Sequence, residues 1–230
     1  MALVLGFLGL LLLAAIFLPQ WWVRRVMRAH AGDRADFPGT GGELARHLLD
    51  RARLANVRVE LAPPGGDHYD PIDKVVRLSP DNHDGRSITA IAVAAHEASH
   101  AMQDADGDRL LATRLKLAGS LRAIEVAAAI VLALAPVVML VVKSPVLLVL
   151  QIGVAVALLG SRVLVHLLTL PVELDASFAR ALPILEKGGF LPAEDLPKAK
   201  SVLRAAALTY VASALVSLLD IARLLRVLRF

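Results

Sequence analysis

The chain contains no cysteine. Disulfides and thiolate metal sites are therefore excluded, and any transition-metal site must be built from histidine and carboxylate. Aromatic residues are scarce: two tryptophans, two tyrosines and six phenylalanines in 230 residues. No basic stripe is interleaved with aromatics, so the net charge of +4 does not point to nucleic acid as a partner. Charge itself is thin, at 20% of residues. What fills the chain is apolar: 57% of residues are hydrophobic, and mean hydropathy is +0.62. These residues come in long blocks rather than at the period of two or 3.6 expected of a soluble domain.

The blocks predict membrane segments. Residues 1–19 carry no charged side chain and are followed by "QWWVRRVMR". A cleaved signal places its basic residues ahead of the apolar core, the reverse of this order. Residues 1–22 are therefore read as a retained anchor, with Trp21 and Trp22 at the interface and Arg24, Arg25 and Arg28 on the cytoplasmic side. Two further spans are expected at about 124–142 and 146–170, joined by a tight connection. Each is long enough to cross ~30 Å of hydrocarbon. This hairpin, assigned to 123–170, returns the chain to the side it left. Residues 23–122 and 171–204 are then expected to share the cytoplasmic face. The last stretch, 205–230, is read as either a further span or an interfacial helix.

The polar middle predicts mixed structure. "TGGE" at 40–43 has the form of a capping box, in which Thr40 and Glu43 satisfy one another's backbone N–H groups. A helix should follow, with Leu44, Leu48 and Leu49 on one side, and end near Asn56. "VRVEL" (57–61) and "KVVRL" (74–78) read as strands, separated by the turn-rich "APPGGDHYDP". "RSITAIAVAAHEASHAMQDA" reads as a long helix. The expected fold class is thus mainly α, a multi-pass membrane protein with a small α+β domain.

That last helix carries the chemistry. His96 and His100 lie at i and i+4, which places both imidazoles on one helical face, one turn apart. Glu97 sits about 100° around from His96 and is placed to act as a base rather than a ligand. In such a site zinc lowers the pKa of a water towards ~7, and Glu97 takes its proton and delivers it to a leaving amine. A catalytic zinc site commonly has a third protein ligand. Glu173 in "TLPVELDASFAR" is the best candidate, because it follows the hairpin on the expected side. Asp175 is the alternative. His166 and Tyr210 are candidates for supporting or contacting the site.

Taken together, "DHYDP", "KVVRLS", "GRSITAIAVAAHEASHAMQDA", "TLPVELDASFARAL" and "AALTYVASAL" resemble the bacterial membrane-bound neutral zinc metallopeptidase family, the YugP-like proteins. The resemblance implies a zincin-like domain of gluzincin type, one Zn2+ and peptide-bond hydrolysis. It makes His96, His100 and Glu173 the zinc ligands and Glu97 the catalytic base. It likens "KVVRL", with Val75 and Val76, to the edge strand that aligns a substrate backbone. It also implies a bacterial inner-membrane location and a peptide or protein substrate, with the lipid bilayer as second partner. Ser99 and Asp175 depart from the family pattern, which has Gly and Asn there. From a different class, a non-proteolytic membrane scaffold with a structural or vestigial metal site accounts for the same motif if a further residue such as His68 or His166 closes the shell.

Overall fold

The computed structural model describes residues 2–134, 137–138, 141, 143–209, 211–212 and 215. The chain forms two compact units. One comprises residues 1–20, 113–169 and 210–230, and the other residues 21–112 and 170–209.

The second unit is built around a helix that is buried along most of its length. Helix α1 (Ala2–Ala29) leads into it, and α2 (Gly41–Arg51) opens with the expected capping box. The Thr40 N–H donates to Glu43 Oε2 at 2.8 Å, and the Glu43 N–H donates to Thr40 Oγ1 at 3.2 Å. Leu44, Leu48 and Leu49 are all buried. The helix stops at Arg51, short of Asn56, because Arg53 takes a left-handed φ of 60° and the Leu54 N–H turns back to the Leu49 carbonyl at 2.8 Å.

Strands β1 (Arg58–Leu61), β2 (His68–Asp70) and β3 (Val75–Leu78) form a sheet of order β1-β3-β2, with β1 parallel and β2 antiparallel to β3. The strand expected at the edge is therefore the central one. Val75 and Val76 are fully buried and pair on both sides, Val76 with Val59 and with Tyr69. The extra strand comes from "DHYDP", where glycine and proline signals mask a three-residue strand. Asp67 secures its start by accepting from the Ser79 N–H at 2.7 Å and from Asn82 Nδ2 at 3.0 Å.

After the short α3 (Pro80–His83) comes α4 (Ile88–Ala105), capped by Ser87, whose Oγ accepts from the Ala90 N–H at 3.0 Å. Ala90, Ala92, Ala94, Ala95 and Ala98 are completely buried. Such small side chains let helices approach on several sides, which explains why α4 shows no polar face. Ser99 fits because its hydroxyl donates to the Ala95 carbonyl at 2.7 Å. Helix α6 (Pro145–Leu174) runs into a wider π-helical segment, Asp175–Ala181, then α7 (Leu182–Gly188) and α8 (Leu196–Ala207). The core joins α2, β3, α7 and α8 to α4 through Leu49, Leu78, Leu185, Val202 and Leu203 packed with Ile91 and Ala94.

In the first unit, α5 (Arg109–Ala133) and α6 supply most of the described structure, and Gln151 of α6 donates to the Val131 carbonyl. Among the described residues no helix is long and apolar enough to cross a membrane, which overturns the expected multi-pass arrangement. The apolar runs at 2–22 and 146–170 each lie within one helix, α1 and α6, but a run does not fix where its helix begins or ends. The expected span 124–142 is cut where α5 ends at Ala133, and that helix opens on a charged stretch with Arg109, Arg114 and Lys116. The expected anchor is continuous with the arginines up to Ala29. Most of 205–230 lies outside the described residues. The mostly helical character, with one small sheet, stands.

Gly41 begins α2 where a Cβ would lie 2.1 Å from the Asn82 carbonyl oxygen and 2.8 Å from that of Ala90. Gly41→Ala should therefore lower unfolding stability by roughly 1–3 kcal/mol, the usual cost of overpacking. Chemical denaturation measures this, and an unchanged midpoint would show that the helices tolerate a wider approach.

Candidate metal centre

Three buried side chains from two segments of the second unit converge. His96 and His100 come from adjacent turns of α4, and Glu173 comes from the last turn of α6. Each offers a ligand atom within 4.8 Å of the others. Glu173 Oε2 lies 3.2 Å from His96 Nε2 and 3.4 Å from His100 Nε2. Glu173 is 1% exposed. A carboxylate in that position is costly unless opposite charge and hydrogen bonds compensate its lost hydration.

The other nitrogen of each imidazole is tied away from this centre. His100 Nδ1 lies 2.8 Å from Gln103 Oε1, and His96 Nδ1 lies 3.0 Å from Ser177 Oγ. The Ser177 hydroxyl donates its one hydrogen to the Leu203 carbonyl at 3.1 Å. It is therefore left to accept from His96, which places a His96 proton on Nδ1 and leaves Nε2 as the nitrogen facing Glu173.

These residues fit zinc. The set is two imidazole nitrogens and one carboxylate oxygen, a combination zinc accepts readily. In a tetrahedral shell with bonds of about 2.0–2.1 Å, ligand atoms stand about 3.3 Å apart, close to the spacing of Oε2 from the two nitrogens. Imidazoles that ligate metals commonly donate their remaining N–H to a fixed acceptor, as His96 does here.

The remaining expected residues fall as follows. Glu97 is buried beside His96 on α4. Asp175 is not in the metal group. Its Oδ2 accepts from Gln103 Nε2 at 2.7 Å and from Arg180 Nε at 2.9 Å. Burial works against its charge, but those two donors outweigh it and hold the carboxyl below its ordinary pKa. Val75 and Val76 lie within the sheet. His68 is exposed on β2, with Nδ1 2.6 Å from the Gly66 carbonyl, and belongs to no metal group among the described residues. His166 lies in α6, but its side chain is outside the described set, as is Tyr210 altogether.

Gln103, Ser177 and Arg180 were missed in the sequence. Two of them carried a signal: Gln103 is three residues from His100 and Ser177 four from Glu173, spacings that share a helical face. Arg180 had none, since its role depends on which acids the fold brings near it.

The chain belongs to a zinc metallopeptidase family. Residues 5–229 match the family described as "Putative neutral zinc metallopeptidase", in agreement with the resemblance seen in the motifs. Over 223 residues it is 38% identical to the "Putative membrane protease YugP" of Bacillus subtilis (strain 168), covering 94% of this chain and 93% of that protein. No solved structure matches it.

If Glu173 is the third ligand, Glu173→Ala should weaken zinc binding far more than Asp175→Ala. Equilibrium competition against a chromophoric chelator ranks the two variants, and the reverse order would move the ligand to Asp175.

Proposed function

We propose that this chain is a zinc-dependent endopeptidase that hydrolyses peptide bonds in a peptide or protein substrate. The observation that carries the reading is the buried triad of His96, His100 and Glu173, in which residues 77 positions apart share a 3.2 Å contact. Family membership supports the same chemistry.

On this reading His96 Nε2, His100 Nε2 and a Glu173 oxygen hold one zinc ion. When bound, the ion acidifies a water molecule and polarises the substrate carbonyl. Glu97 accepts the water proton as general base and returns it to the leaving amine. Its place on α4, directly after the first ligand, gives it a fixed relation to the centre without making it part of the shell. Ser177 and the π-segment keep His96 in the tautomer that ligation requires.

We further place the enzyme at the cytoplasmic side of a bacterial membrane, with lipid as its second partner. The relative's name supports the membrane setting. So does the end of α1, where Trp21, Arg24, Arg25 and Arg28 are exposed and the Arg25 guanidinium lies 5.3 Å from the Trp21 ring centroid. Aromatic and arginine side chains together suit the headgroup region of a cytoplasmic leaflet.

The deciding variant is Glu97→Gln in the full chain. It should bind one equivalent of zinc as the wild type does, while cleavage of a quenched fluorescent peptide library falls by roughly 10²–10⁴-fold. Undiminished cleavage would remove Glu97 from the mechanism.

A further inference from the structure

Gln103 is completely buried one turn beyond His100, and every atom of its amide is committed. Nε2 donates to the Val172 carbonyl at 3.1 Å and to Asp175 Oδ2 at 2.7 Å. A carbonyl and a carboxylate both accept only, so the NH₂ end must face them. The amide oxygen is thereby turned to His100 Nδ1, 2.8 Å away. An amide oxygen cannot donate. His100 therefore carries a proton on Nδ1, and Nε2 is the nitrogen turned towards Glu173.

The same amide grips the backbone that delivers the third ligand. Val172 precedes Glu173 in the last turn of α6, and Asp175 opens the π-segment immediately after it. Asp175 is held in turn by Arg180 Nε, and Arg180 Nη1 donates to Asp106 Oδ2 at 2.6 Å, at the C-cap of α4. The series Asp106–Arg180–Asp175–Gln103–His100 starts and ends on the α4 segment and encloses the turn bearing Glu173.

We propose that Gln103 is a positioning residue for the metal centre: one buried amide sets the tautomer of His100 and fixes the Val172–Asp175 turn that presents Glu173. The proposal rests on the zinc reading of the site. It assigns Asp175 a purpose other than ligation, as the acceptor that orients the amide. Because orientation needs only an acceptor, Asn at 175 serves as well through its own carbonyl, whereas Ala does not.

Nitrogen-15 NMR of the metal-free full chain, labelled at histidine, identifies which ring nitrogen of His100 is protonated. Zinc affinity is read in parallel by chelator competition. The wild type should show Nδ1–H at His100. Gln103→Ala should lose that preference and bind zinc about 10–100-fold more weakly, the usual loss for a residue that orients a ligand. Gln103→Glu should also weaken binding, since a carboxylate there faces the Val172 oxygen and Asp175. Adding Asp175→Asn to Gln103→Glu reverses the donor and acceptor across that contact and should recover much of the loss, which a generic packing defect would not. Asp175→Asn alone keeps an acceptor for the Gln103 amide and should lose less affinity than Gln103→Ala. Absence of Nδ1–H at His100 in the wild type, or wild-type zinc affinity in folded Gln103→Ala, would overturn the proposal. If Gln103→Ala does not fold, failure of the double variant to recover affinity overturns it instead. A wild type with Nδ1–H at His100 that takes up no zinc would sink the peptidase reading and leave the orienting role of Gln103 standing.

Discussion

The constraint on which the rest of the structure depends is the placement of the Glu173 carboxylate between two imidazoles, out of water. A buried carboxylate has a large desolvation penalty, which nearby positive charge or hydrogen bonds must offset. His96 and His100 both turn Nε2 towards that oxygen. Two imidazole nitrogens and a carboxylate oxygen gathered in this way form a donor set suited to a metal. The neighbouring polar residues act on the same problem, since each turns a nitrogen or a backbone group so that the acceptors point inward.

Packing makes that arrangement possible. Helix α4 can sit at the centre because alanine is its commonest residue, leaving room for α2, α8 and the π-segment to approach. The change from α6 to the wider π turn occurs at Asp175, between Glu173 and Ser177. Turns of this kind are frequent at functional sites, and here Glu173, before the change, reaches both histidines, and Ser177, after it, reaches His96. Further out, Arg180 joins Asp106, Asp175 and the α4 C-terminus, so the ligand-bearing segments are tied by ion pairs as well as by the core.

The apolar blocks were the most conspicuous signal in the sequence and the least dependable guide to architecture. Hydropathy reports how apolar a run is, not where a helix begins and ends. Residues 124–142 read as one element, but α5 stops at Ala133. The edge-strand expectation failed for a related reason: "KVVRL" has strand character, yet its rank in the sheet depends on a partner hidden in a stretch of turn residues. Local rules with short range did better. The Thr40–Glu43 capping box and the Leu44–Leu49 stripe both follow from interactions within one or two turns.

The sequence alone determined the kind of chemistry available. The absence of cysteine confined any transition metal to nitrogen and oxygen ligands, and the i, i+4 spacing put two imidazoles on one helical face, because both are consequences of covalent order and helical period. It also named Glu173 as a candidate, with Asp175 left open. Only the tertiary structure separated those two acids, bringing one to the histidines and the other to Gln103 and Arg180. It alone revealed the amide and hydroxyl that set the imidazoles. Contacts across 70 or more residues have no signature in local periodicity; they exist because two distant segments pack against the same buried helix.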